Sequence, residues 1–343
     1  MEEIIRWLCK LMDFRTAAEG EDAEACAGFI CRTLSERGIP VRRFTTEGGP
    51  RTGHHLLAEV PGLRQEAVLL HAHLDTADYG SRGQWRFPPQ RATPRQDRVW
   101  GRGAIDCKGP LAVWMKLLAD AAAGEPRPYT LKLLVSDLEE QGGEQGLGLL
   151  LRQHPELLAE VKLAVGEGGG FPFPGEGETV FYTFQTGERE TEFRPDPARE
   201  ERMADILSMG IEKGYYARDV LSYAARAGSM SGRRLDIRPL YQEMEPFFRD
   251  GPATDVYARF GPVFEAALRR RLPTARLMPC ITPGKSDNLW LRRAGVPTAG
   301  FFPLDPANAL GGIHGADEYV SRASLDLAYR VLSQALEDLA GVI

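Results

Sequence analysis

EAVLLHAHLDTAD, residues 66–78, decides how this chain is read. Its first part, EAVLLHA, is strand-like. His73 and Asp75 follow directly, at the carboxyl end of the strand, where open α/β sheets place their sites. Upstream, residues 2–12 and 21–37 carry helical apolar spacing, and Gly38 closes the second run where a C-cap is expected. Two more strand-like runs lie near 39–46 and 54–60. Downstream, residues 73–105 are rich in Gly, Pro, Arg and polar residues and read as surface loop. Lys108 to Ala123 reads as a helix, with Pro110 in its first turn and an apolar face through Leu111, Val113, Trp114, Met115, Leu117 and Leu118. Strand TLKLLVS (130–136), a glycine-containing turn, a short helix near 145–153 and strand VKLAVG (161–166) complete the run. The alternation predicts an α/β fold, a mixed sheet with helices on both faces.

Between residues 179 and 251 the character changes. A strand over 180–184 is followed by charged, helical-looking sequence at 197–213, 217–227 and 239–249. After Gly251 the earlier rhythm returns, with a helix at 253–271, a strand at 275–281, a helix at 287–294, a strand at 296–302 and a last helix at 322–340. The expected organisation is therefore one α/β domain built from 1–178 and 252–343, interrupted by a short, mainly helical insertion over 179–251. No internal repeat or low-complexity tract is present.

Composition narrows the class of function. The chain has 343 residues, enough for a sizeable core, and 43% hydrophobic and 26% charged residues, as in ordinary globular proteins. Its net charge of −6 argues against nucleic acid or an anionic membrane as the main partner. No apolar run approaches the roughly 18 residues of a membrane span. MEEIIRWLCKLMDF, at the N-terminus, carries acids where a secretory signal needs a basic region. Five scattered cysteines (Cys9, Cys26, Cys31, Cys107, Cys280) form no CxxC pair and read as reduced thiols of a cytoplasmic protein.

The acids and histidines fall in a pattern set by the strands. Asp106 ends GRGAID, just before a helix; Glu139 and Glu140 follow the strand ending at Ser136; Glu167 follows the strand ending at Gly166; His314 lies in GGIHG, after the strand ending near Phe302. With His73, five segments deliver an acid or imidazole to one edge of a sheet. Two imidazoles and three carboxylates suit zinc, with cobalt or manganese as alternatives. If two ions share five ligands, one carboxylate must bridge, and two such ions polarise a carbonyl and activate a water together. Of the adjacent acids, one is then free to carry a proton from the water to the leaving amine.

These segments resemble the M20 family of metallopeptidases and aminoacylases. The matching stretches are LLHAHLDTAD (69–78), GRGAIDCKGP (101–110), DLEEQGG (137–143), VGEGGG (165–170), PGKSDNLWLRRAGVPTAGF (283–301) and GIHGADEYVS (312–321), in family order. The resemblance implies a zinc-peptidase-like catalytic domain and two divalent metal ions. It makes Asp106 the bridging ligand, with His73 and Glu167 on one ion and Glu140 and His314 on the other. It makes Glu139 the general base and Asp75 the partner that orients His73. It implies a cis peptide at Asp106–Cys107, although methionine is usual where Cys107 stands. Ser286, Asp287 and Asn288 match a segment that lines the substrate site, and Arg238, in RRLDIRPL, matches an arginine that grips a substrate carboxylate. The family's larger lid domain supplies dimer contacts and a histidine for the substrate carbonyl. Here residues 179–251 contain no histidine, so the oxyanion is left to the metal alone or to a donor such as Arg238 or Lys285, and a monomer or an atypical dimer is expected.

The expected activity is hydrolysis of an amide beside a free carboxylate, in a small molecule or peptide. Two alternatives stay open: amide formation or acyl transfer on the same site, and a metal-loaded binding protein without catalysis. Ordinary structural roles are weighed beside these. Asp106 could cap a helix and Ser286–Asn288 a helix N-terminus; Cys107 reads as a small buried apolar residue; His54, His55, His71 and His154 read as structural.

Overall fold

The computed structural model describes residues 1–174, 178–188, 253–282, 286–308 and 313–343. Helices α1 (Glu2–Met12) and α2 (Ala23–Ser35) precede strands β1 (Val41–Thr46), β2 (Gly53–Val60) and β3 (Ala67–His73). The short strands β4 (Thr93–Arg95) and β5 (Arg98–Trp100) come before helix α3 (Lys108–Ala123) and β6 (Thr130–Ser136). A wide turn over 144–148 leads into α4 (Leu149–Gln153), then β7 (Val161–Gly166), β8 (Pro172–Pro174) and β9 (Val180–Glu188). The last part holds α5 (Ala253–Arg269), β10 (Ala275–Thr282), α6 (Asn288–Arg293), β11 (Thr298–Gly300), β12 (Tyr319–Ser321) and α7 (Arg322–Asp338).

One mixed sheet runs in the order β1-β2-β6-β3-β7-β11-β9-β10, with β8 added alongside β9. Its centre is parallel: β3 pairs with β6 and β7, and β7 with β11. Every residue of β3 is buried, as a parallel strand covered on both faces requires. Val68, Leu70 and Ala72 pack into a core with α1, α2, α3, α5 and α7. Ala67 and Leu69 alternate to the other face and meet Leu150, Leu151 and Leu291 of α4 and α6. The predicted α/β fold, with a mixed sheet covered by helices on both faces, is the one observed.

Two expectations change. Residues 73–105 are not all surface loop, because β4 and β5 form a hairpin whose β5 pairs with β12. Residues 99–106 are buried under that pairing, which joins segments far apart in the sequence. The expected strand at 180–184 extends to Glu188 and pairs with β10 and β11. The main sheet therefore reaches beyond residue 179, where the insertion was expected to begin. The helical-looking stretches at 197–213, 217–227 and 239–249, with Arg238, lie outside the described residues. Among the described residues no helix is long and apolar enough to cross a membrane.

Candidate metal centre

Parallel register carries the site to one edge of the sheet. His73, the last residue of β3, lies opposite Ser136, the last residue of β6, and the turn bearing Glu139 and Glu140 follows. On the other side, β7 ends at Gly166 and delivers Glu167. Asp106 is presented by the buried loop ahead of α3, through a cis Asp106–Cys107 peptide. His314 arrives on the segment between β11 and β12 with a left-handed φ of 59°.

Asp106 stands at the middle. Its Oδ1 is 3.0 Å from His73 Nε2, and its Oδ2 is 3.1 Å from His314 Nε2. Around His73 Nε2 are Glu167 Oε2 at 3.6 Å and Glu139 Oε2 at 3.8 Å. Glu140 Oε2 lies 3.0 Å from His314 Nε2. The structure thus brings together His73, Asp106, Glu139, Glu140, Glu167 and His314. Potential ligand atoms of His73, Asp106 and Glu140 lie within 4.8 Å of one another, and so do those of His73, Cys107 and Glu167. Cys107 is fully buried, as expected of a small apolar residue, but it also borders the cluster.

The supporting bonds orient these groups. His73 Nδ1 is 3.0 Å from the Asp75 backbone carbonyl and donates there, which leaves Nε2 facing the carboxylates. The Asp75 carboxylate is farther from that ring, with Oδ1 at 3.4 Å from Nδ1. Its Oδ2 accepts the backbone N–H of Glu140 at 3.0 Å, so Asp75 ties the two ligand-bearing turns together. Glu318 is completely buried and ion-paired to Arg102 at 2.8 Å. It also accepts the backbone N–H groups of Gly103, Ile105 and Asp106, at 3.2, 2.8 and 3.2 Å. It therefore holds the loop that presents Asp106.

Ser286 is half-buried, while Asp287 and Asn288 are fully buried. Asp287 accepts a hydrogen bond from Ser136, and Asn288 Nδ2 donates to the Glu167 carbonyl at 2.9 Å and to Gln185 Oε1 at 2.6 Å. The start of α6 thus backs the β6 and β7 ends. Lys285 and Arg238 lie outside the described residues. Neither Arg102 nor Glu318 stood out in the sequence; their only signal is that they fall within GRGAIDCKGP and GIHGADEYVS.

The electrostatics are those of a site short of positive charge. Burial, with the Asp106 charge, raises Glu167 to about 7 against the pull of His73. Burial also pushes Glu139 well up, and the neighbouring Glu167 and Glu140 add to it. Glu140 rises through burial and Asp106. Burial opposes charging of His314, but hydrogen bonds to Asp106 and Glu140 outweigh it and raise the ring to about 10. Asp106 moves well below its usual value, since both imidazoles outweigh its burial. Glu140 Oε1 is buried with no hydrogen-bond partner among the described residues. Carboxyl oxygens in excess of donors, crowded around two imidazoles, fit divalent cations, which compete with protons for the same lone pairs.

Comparison with known proteins agrees with this chemistry. The profile of peptidase family M20/M25/M40 matches residues 69–338. A cysteinylglycine-S-conjugate dipeptidase from Corynebacterium striatum is 30% identical over 146 residues, 43% of this chain and 32% of that protein. The match thus spans about a third of the relative's length. A putative LysW-lysine/LysW-ornithine hydrolase from Pyrobaculum aerophilum is 28% identical over 323 residues, with 83% of this chain and 85% of that protein covered. The crystal structure of an M20 family metallo-carboxypeptidase from Sulfolobus solfataricus shares the fold, with a TM-score of 0.68 at 13% identity and full coverage of both chains. The chain belongs to peptidase family M20/M25/M40.

Proposed function

We propose that this member of the M20/M25/M40 family hydrolyses an amide bond beside a free carboxylate, using two divalent ions, with zinc as the leading candidate. The carrying observation is the placement of Asp106, whose two carboxylate oxygens each face a different imidazole, at 3.0 and 3.1 Å. His73 and Glu167 would hold one ion with Asp106, and Glu140 and His314 the other. Nitrogen and oxygen donors of this kind suit zinc, while cobalt and manganese remain competent substitutes. When bound, the ions supply Lewis-acid polarisation of the carbonyl and a more acidic attacking water.

The chain's own residues do the rest. Glu139 is spare in the ligand count and sits at the cluster's edge, 3.8 Å from His73 Nε2. Burial makes it a better base than a solvated carboxylate. It takes a proton from the attacking water and returns it to the departing amine. Asp75 keeps His73 and the Glu140 turn in register, and Glu318 keeps Asp106 in place. The substrate carboxylate is assigned to Arg238 of RRLDIRPL, while Lys285 and Ser286 of the separate PGKSDNLW segment are further candidates to meet the substrate. Relatives named as a dipeptidase and as a putative LysW-lysine/LysW-ornithine hydrolase support amide substrates of this kind.

Purified chain should bind two divalent ions and turn over members of a panel of dipeptides and N-acyl amino acids. Two bound ions with silence across that panel would sink the hydrolytic reading.

A further inference from the structure

The loop between β1 and β2, residues 47–52, belongs to no motif, yet it is packed against the turn that carries Glu139. Arg51 places its guanidinium on the buried carboxylate of Asp137, with Nη1 2.6 Å from Oδ2 and Nη2 2.7 Å from Oδ1. This fork-on-fork geometry is the one that fixes orientation as well as distance. The Arg51 side chain is only 16% exposed, and Asp137 is fully buried. Arg51 Nη1 also reaches the Thr52 carbonyl at 3.1 Å, so the arginine is pinned to its own loop.

Asp137 distributes that anchorage into the turn. Its Oδ1 accepts the backbone N–H of Leu138 at 2.9 Å, and its Oδ2 accepts that of His54 at 3.0 Å. Its own N–H donates to His55 Nδ1 at 3.2 Å, and the far nitrogen of that ring meets Thr46 Oγ1 at 3.0 Å. Leu138 is buried with a left-handed φ of 66°, an unfavourable backbone region for a leucine. Something must hold it there. Gly49 in the loop and Gly53 at the start of β2 leave room beside Leu138: a Cβ on either would stand 2.9 or 3.1 Å from Leu138 Cδ1. The next residue after Leu138 is Glu139.

We propose that Arg51 is a positioning residue for Glu139, acting through its bidentate pair with Asp137 to hold the turn that presents the base. The β1–β2 loop is then part of the reaction's apparatus through the turn it holds. The inference rests on Glu139 being the base.

The experiment compares Arg51→Met, Arg51→Lys and Asp137→Asn, with Glu139→Gln as reference. Arg51→Met should lower kcat by about 10- to 100-fold, the usual range for partners of site residues, with KM changed less than about threefold and both ions retained. Arg51→Lys keeps charge without the fork and should recover part of kcat. Adding Asp137→Asn to Arg51→Met should cost little more, since both remove one pair. A folded Arg51→Met chain with wild-type kcat overturns the proposal. If Arg51→Met fails to fold, Arg51→Lys decides on the same criterion. Hydrogen exchange over residues 136–143 gives a reading independent of turnover: Arg51→Met should speed it selectively, and unchanged protection there overturns the inference. A wild-type chain inactive on amides defeats the hydrolase reading, whereas an active one indifferent to Arg51 defeats only this inference.

Discussion

The two halves of the candidate centre are built differently although they share Asp106. His73 is fully buried at the end of a central strand, between two parallel neighbours. His314 stands on a turn with positive φ, its side chain 35% exposed. The first half inherits its geometry from sheet hydrogen bonding, and the second depends on side-chain ties. One such tie is Glu318, four residues after His314, which holds both Arg102 and the backbone ahead of Asp106. Sheet-built donors are pre-organised, and loop-built donors must be ordered when an ion binds. The ion at the His73 half should therefore be held more tightly.

The comparison can be broken most forcefully at the shared residue. Asp106→Asn should abolish measurable turnover and weaken both ions, as read by metal analysis after dialysis; loss of one ion only would show that Asp106 does not serve both halves. Glu139→Gln should lower kcat by about 10²- to 10⁴-fold, the span usual for a lost general base, with two ions still bound. Loss of the ions instead would make Glu139 a ligand. Chelator titration should remove the ions in two phases, and His314→Ala should eliminate the weaker phase alone. A single phase in wild type would mean that the halves are energetically alike.

Smaller effects test the supports. Glu318→Ala removes the buried carboxylate partner of Arg102 and the acceptor of three backbone N–H groups, and should destabilise the fold by about 3–5 kcal/mol in urea unfolding. It should also weaken the His314-side ion more than the other. Gradual acid sensitivity should come from two histidines outside the ligand set. Burial lowers His55 to about 4 and His71 to about 3. Both rings stay neutral when folded, while the unfolded chain protonates them below about 6.5. The unfolded state then binds more protons, so stability present above that pH is lost as pH falls from about 6.5 towards 4, by up to about 1.4 kcal/mol per pH unit for each ring. Unfolding midpoints at pH 7 and pH 5 check this. Replacing His55 by an apolar residue should flatten the slope.

Local signals were legible where local physics decides. Helix α3 spans the Lys108–Ala123 that Pro110 and its apolar face mark, and β6 spans the expected TLKLLVS. The β4–β5 hairpin was not legible, because its short strands are stabilised by β12, more than two hundred residues downstream. The hydrogen bonds that Asp287 and Asn288 make at the start of α6, to Ser136 of β6 and to the Glu167 carbonyl, have no local signal either. Arg51 left no trace in the sequence, since nothing local marks an arginine whose partner is Asp137.

From sequence alone come the identity and order of the donors. His73, Glu140 and Glu167 stand at or just past strand ends and Asp106 just before a helix, and parallel strands bring their carboxyl ends to one edge whatever surrounds them; His314 lies in the longer segment between β11 and β12. Only the tertiary structure decides which oxygen of Asp106 meets which imidazole, that the Asp75 carbonyl accepts the hydrogen bond of His73 Nδ1–H, and that Glu318 and Arg51 brace two of the turns. These are contacts between segments distant in the chain, set by register and packing, and no local run of residues encodes them.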